Sequence, residues 1–227
     1  MSDPFAACEE LVRRTDPDRY FAALFAPEEK RRYLFALCAF YRELAHTVDA
    51  AREPMILDIR LAWWRETLEG AREGNSRDHH VARAMRETFA AYDLPADLFA
   101  RMIEARAAEA GAEPFAGAVE AEEHADATSG TLMRLAACVL GTEANGLARE
   151  AGIAYALAGR SGGRYSSIDT TALAKKHLDA ARRLPMPRAA LPAVLPAALV
   201  PLYLKRNDPP LWRKQITYLR TSWRGRI

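Results

Sequence analysis

Between Pro27 and Val48 the apolar residues Leu34, Leu37, Phe40, Tyr41, Leu44 and Val48 recur mostly in steps of three and four. That spacing draws one stripe along an α-helix, whereas a half-buried strand would alternate every second residue. The same period predicts further helices along the chain. Asp16-Pro17 and Pro27-Glu28-Glu29 mark starts, because proline suits the first turn and acidic side chains there favour the helix dipole. A helix from Pro54 carries Ile56, Ile59, Trp63, Thr67 and Leu68 on its stripe, and Gly70 and Gly74 end it. Others are expected over Arg77 to Tyr92 after a Ser76 cap, Pro95 to Ala110, Phe115 to His124, Thr131 to Leu140 and Glu143 to Arg160. The two segments around Thr128-Ser129-Gly130 could equally be one kinked helix. Ser161 to Ser167 is a break, and Asp169 or Thr170 caps a helix reaching Leu184. Ala189 to Leu204, with Pro192, Pro196 and Pro201, and Pro210 to Trp223 close the chain. With no strand pattern and no fixed repeat, the reading is an all-α bundle in a single domain over residues 1–227, ending in a basic aromatic segment at 205–227.

Composition narrows the function. Half the residues are hydrophobic, which supports a sizeable core, and a net charge of +2 gives no reason to expect a nucleic-acid partner. Cys8, Cys38 and Cys138 are dispersed and each lies in an apolar stretch, so they predict neither a disulfide framework nor a zinc site. A reducing, cytoplasmic setting fits them. The first ten residues lack the basic and apolar regions of a signal peptide, and the proline-bearing stretch from Ala189 is too short for a bilayer span.

The stretch Phe40-Tyr41-Arg42-Glu43-Leu44-Ala45-His46-Thr47-Val48-Asp49, followed by Leu61-Ala62-Trp63-Trp64-Arg65, resembles the squalene and phytoene synthase superfamily. The resemblance implies an isoprenoid-synthase-like helical bundle. In catalytic members, an Asp-Asp-x-x-Asp type motif follows a Tyr-x-Phe-Cys-Arg-like stretch on this helix. Carboxylates one turn apart share a helix face, and there they hold magnesium ions that neutralise a departing diphosphate. The matching positions here are Ala45, His46 and Asp49, so one acidic group stands where two or three are needed. Family members also carry a second acidic cluster, whose counterpart falls in Gly152 to Arg164, a stretch without a carboxylate. The arginine-bearing loop and Leu-Pro that follow this helix in the family are missing between Tyr165 and Ala174.

These departures are similar to the non-catalytic branch of the superfamily, the respiratory complex I assembly factors. Tyr41, Arg42, Glu43 and Trp64 match, as do Thr128 and Gly130 in the mid-chain signature, and Tyr155 and Arg160 near the second motif. The ending Tyr218-Leu219-Arg220-Thr221-Ser222-Trp223-Arg224 resembles that branch, and the likeness runs from about Tyr20 to Trp223. It implies a complex I subunit or assembly intermediate as partner, no catalytic residue, no metal and no cofactor, with a retained prenyl lipid as a further ligand. The alternative is a prenyl diphosphate condensing enzyme, with magnesium held by Asp49 and by Glu43 or Asp58. Glu43 and Asp49 are six residues apart and face away from each other on an ideal helix.

Residues Lys205 to Ile227 hold seven basic residues against Asp208 alone, a local +6 that leaves −4 on the rest of a +2 chain. Interleaved with Trp212, Ile216, Leu219 and Trp223, the cations predict contact with a partner or with an anionic membrane surface through Arg213, Lys214, Tyr218, Arg220, Trp223 and Arg224. A peripheral position on the inner membrane follows from that reading. The plainer alternative packs Trp212, Ile216 and Leu219 onto the bundle and leaves the arginines solvated. Adjacent His79 and His80 would point about 100° apart on a helix, which does not suit a metal pair. Trp63-Trp64 predicts packing, and Gly159-x-x-Gly162-Gly163 follows no strand and predicts no phosphate loop.

Overall fold

A computed structural model describes residues 3–50, 53–109, 113–158, 163–206 and 208–227. They are helical throughout, with no strand among the described residues, and they form two compact units, Met1–Gly111 and Ala112–Ile227.

The first unit contains α1 (Pro4–Thr15), α2 (Pro17–Ala23), α3 (Glu28–Ala50), α4 (Pro54–Arg72), α5 (His80–Ala91) and α6 (Ala96–Ala107). Asp3 and Asp16 cap α1 and α2, accepting from the backbone N–H of Phe5 at 2.9 Å and of Arg19 at 3.2 Å, each just ahead of a proline. Helix α3 is the axis of this unit, with Tyr33 to Tyr41 buried without interruption. Phe5, Cys8 and Val12 of α1 are buried in the same core, as are Val81 and Met85 of α5. Burial pushes the Cys8 and Cys38 thiols up to about 12, which keeps both protonated and unreactive near neutral pH.

Three expectations for this unit need correcting. Helix α1 was not anticipated before Asp16, although Phe5, Cys8 and Val12 carry its short stripe. The buried face of α4 is Leu57, Leu61, Trp64, Thr67, Leu68 and Ala71, so Thr67 and Leu68 are buried as expected, whereas Ile56 and Ile59 are exposed and Trp63 is half-buried. Both sets repeat with the helical period, and periodicity alone does not choose between neighbouring stripes. Helix α5 starts at His80, not after a Ser76 cap. His79 precedes it with extended backbone, φ −146° and ψ 132°, and makes no side-chain cap bond.

The second unit contains α7 (Ala118–Ala125), a π-helical turn at Asp126–Gly130, α8 (Thr131–Leu140), α9 (Asn145–Leu157), α10 (Thr170–Arg183), α11 (Leu191–Val194), α12 (Val200–Tyr203) and α13 (Leu211–Arg224). Residues 118–140 are therefore one continuous helix with a wide turn at Thr128-Ser129-Gly130, the single-helix alternative. It stops at Gly141, whose φ of +74° suits a residue without a Cβ. Asp169 caps α10 by accepting from Ala172 N–H at 3.0 Å. The stretch from Ala189 to Leu204 is not one helix. Pro192, Pro196 and Pro201 each remove a donor, so the chain advances through short α and 3-10 pieces that bury Leu191, Val194, Leu195, Leu199 and Val200. No helix among the described residues is long and apolar enough to cross a membrane.

Candidate functional site

The C-terminal half of α3 carries the motif positions. The Tyr41 ring is buried between two guanidinium groups, with Arg19 Cζ at 4.7 Å and Arg106 Cζ at 5.0 Å from its centre. Each arginine has a carboxylate partner: Arg19 bonds Asp16 at 2.7 Å and Arg106 bonds Glu109 at 2.7 Å. Burial lowers the Arg106 pKa, but the Tyr41 and Glu109 oxygens outweigh it and raise it overall. Arg42 and Glu43 are half-buried, and the Glu43 carbonyl accepts from Thr47 Oγ1 at 2.8 Å. Ala45 is half-buried; His46 and Asp49 face solvent, as does Asp58 on α4.

Trp64 is buried, edge-on to Phe40 at 5.4 Å and to Trp63 at 4.9 Å, so the tryptophan pair packs as expected. His79 and His80 do not diverge as two adjacent helical residues would. His79 lies outside the helix, and its ring stacks on His80 with centroids 4.6 Å apart, next to Trp64 at 5.4 Å. Burial, then the neighbouring His80, holds the His79 pKa below its ordinary value. Among the described residues, no group of three His, Cys, Asp or Glu side chains is placed to hold a metal ion.

In the second unit, Thr128 and Gly130 belong to the buried π-helical turn, where Thr128 Oγ1 donates to the His124 carbonyl at 2.7 Å. The turn brings the backbone at Gly130 so close to α9 that a Cβ on Gly152 would stand 2.5 Å from Gly130 Cα. Buried Asp126 accepts from Arg134 Nη2 at 3.2 Å and from Arg149 Nε at 3.0 Å. On α10, buried His177 has Glu150 Oε2 at 2.6 Å from Nδ1 and Glu122 Oε1 at 2.8 Å from Nε2. Burial raises the Glu122 pKa, but hydrogen bonds from Lys176 and His177 lower it further, so it ends below its ordinary value. Sequence reading missed this charge network. Apart from Asp126–Arg134, eight residues apart, these bonds join residues 23 to 55 positions apart, and no local spacing signals them. Tyr155 is half-buried, its ring 6.2 Å from that of Tyr203, and Arg160 lies outside the described residues.

Helix α13 is held by its Tyr218 and Thr221 face, and Lys214 Nζ donates to Tyr203 Oη at 2.7 Å. Tyr218 is 1% exposed, so it anchors the helix and does not face outward with Arg213, Arg220, Trp223 and Arg224. Trp212, Ile216 and Leu219 are exposed, so the plainer alternative, in which they pack onto the bundle, does not hold.

The sequence pattern of the squalene/phytoene synthase family matches residues 12–160. The chain belongs to the squalene/phytoene synthase family. Its fold is similar to that of a dehydrosqualene synthase crystallised with a ligand, with a TM-score of 0.74 and 15% identity over 97% of this chain and 96% of that one. The squalene synthase HpnC from Alicyclobacillus acidocaldarius gives 0.69 and 18% identity, covering 98% and 94% of the two chains. Among curated proteins, the human NADH dehydrogenase (ubiquinone) complex I, assembly factor 6 is 28% identical over 134 residues, 59% of this chain and 40% of that protein. The homologue of that factor in Drosophila melanogaster is 30% identical over 134 residues, 56% of this chain and 40% of its own. The matches thus span about 40% of the length of these curated relatives.

The magnesium ions that the resemblance implies for catalytic members do not fit the residues present at this motif. Ala45 offers no donor atom, and the His46 imidazole is a poor ligand for a hard cation that demands oxygen. Asp49 is the one carboxylate among the three motif positions, and it is exposed.

Proposed function

We propose that this chain is a non-catalytic member of the squalene/phytoene synthase family that acts in the assembly of respiratory complex I, by binding a subunit or an assembly intermediate. The observation that carries the reading is the pair Ala45 and His46 at positions where diphosphate chemistry asks for carboxylates, in a chain whose curated relatives are named complex I assembly factors. Without that donor set the bundle supplies surface and shape, and it needs no magnesium or other cofactor. The protein works in the cytoplasmic compartment, beside the inner membrane that holds the complex.

Deleting the gene in the native host should lower complex I abundance and NADH-linked respiration several-fold. Re-expression of the wild-type chain should restore both, and Asp49→Ala should restore them equally well, because no metal depends on that carboxylate. Unchanged complex I after deletion would contradict the assembly reading, and failure of Asp49→Ala alone would point back to an enzyme.

A further inference from the structure

Beyond Leu211 in its first turn, four apolar side chains on α13 stand in water: Trp212 is 57% exposed, Ile216 38%, Leu219 61% and Trp223 87%. Their spacing of four, three and four residues confines them to a stripe about 60° wide on the helix surface. Exposed Arg213, Arg220 and Arg224 form a second row along one flank of that stripe, and α13 contains no acidic residue. The opposite face is occupied, since Tyr218 and Thr221 are buried and Lys214 is bonded to Tyr203. The helix is therefore already formed and fixed, with its apolar edge turned outward, and it needs no folding step to present that edge.

We propose that this edge of α13 is a docking surface for an anionic phospholipid bilayer. Tryptophan at the two ends of a short apolar stripe suits the headgroup boundary, where an apolar ring body and an N–H donor are both accommodated. The arginine row would lie in the headgroup plane when the stripe is inserted, each stem following the apolar surface while the guanidinium reaches phosphate. Charge selects this occupant over a second copy of the chain. Pairing two such helices about a two-fold axis brings Arg213 of one towards Arg224 of the other, cation against cation. The charge asymmetry favours one orientation, since the segment from Lys205 onward carries +6 and the remaining residues carry −4. This inference stands apart from the assembly reading, because its test contains no component of complex I.

The test is co-sedimentation of the full-length chain with vesicles of phosphatidylcholine alone or mixed with phosphatidylglycerol. Binding is expected only to the mixed vesicles, falling as salt rises. Trp212→Ser with Trp223→Ser should abolish it, and Arg220→Glu with Arg224→Glu should weaken it by at least about 25-fold, taking about fivefold for each lost cation. Both double variants should melt like the wild type, since all four side chains are exposed. No binding to the mixed vesicles, equal binding to neutral ones, binding that survives loss of the tryptophans, or dimerisation through α13 in size-exclusion chromatography would each overturn the proposal.

Discussion

Gly152→Ala is expected to lower the thermal midpoint by roughly 10 °C or more, or to yield no soluble protein. A Cβ at this position would meet Gly130 Cα at 2.5 Å, Gly130 N at 2.7 Å and the Ser129 carbonyl oxygen at 2.7 Å. All three are backbone atoms, so no side chain can rotate away and the whole of α9 must shift from the π-helical turn. Overpacking typically costs about 1–3 kcal/mol, and a clash with backbone belongs at the upper end or beyond it. Gly146→Ala is the matched control. It lies on the same helix, its Cβ would meet only Leu184 Cδ1 at an ordinary 3.6 Å, and alanine is the better helix former. Gly146→Ala should melt at or slightly above the wild-type temperature. A Gly152→Ala variant that also does so, in calorimetry or far-UV circular dichroism, would show that the two backbones do not approach as described.

The second large effect is expected at Asp126→Ala, about 3 kcal/mol in a urea melt. Asp126 is 4% exposed, and its carboxylate is shared by Arg134 and Arg149. Removing it leaves the largely buried Arg134 without this counter-charge, with Thr131 Oγ1 still within 3.0 Å. Breaking a buried pair from one side costs about 3–5 kcal/mol. The lower end applies because Arg149 is 43% exposed and water screens its share. Asp126→Asn keeps the shape and part of the acceptor capacity, so it should fall between. Asp126→Leu combined with Arg134→Met should recover part of the loss, since a buried pair replaced by apolar groups of similar size is often close to neutral. A midpoint for Asp126→Ala within about 0.5 kcal/mol of wild type would mean that the network carries no weight.

What could be read from the chain follows the range of the forces involved. Helix α3, the Asp169 cap and the Gly141 stop were legible because period, capping and positive φ are local properties. The α4 stripe was right at Thr67 and Leu68 but missed the buried face at Ile56 and Ile59, because Ile59 and Leu57 are equally apolar and only the neighbouring helices decide which of them is covered. The prolines from 192 to 201 were visible, yet their consequence, a chain of short helical pieces within the core, depends on the tertiary burial that repays the lost hydrogen bonds. At the site, the replacement of carboxylates by Ala45 and His46 was legible from one short stretch. The bonds from Asp126 to Arg149 and from His177 to Glu122 and Glu150 were not, since each joins helices that are distant in sequence. The outward stripe of α13 was half legible: its period marked an amphipathic helix, and only the buried Tyr218 shows which face turns inward.

The proposed loss of diphosphate chemistry is tested most directly by incubating the purified full-length protein with farnesyl or geranylgeranyl diphosphate, with and without magnesium, and measuring pyrophosphate release. With Ala45 and His46 in the motif, release should equal the protein-free rate in both conditions, and titration calorimetry should show no magnesium-dependent binding of either substrate. Magnesium-dependent, saturable pyrophosphate release that Asp49→Ala abolishes would contradict it.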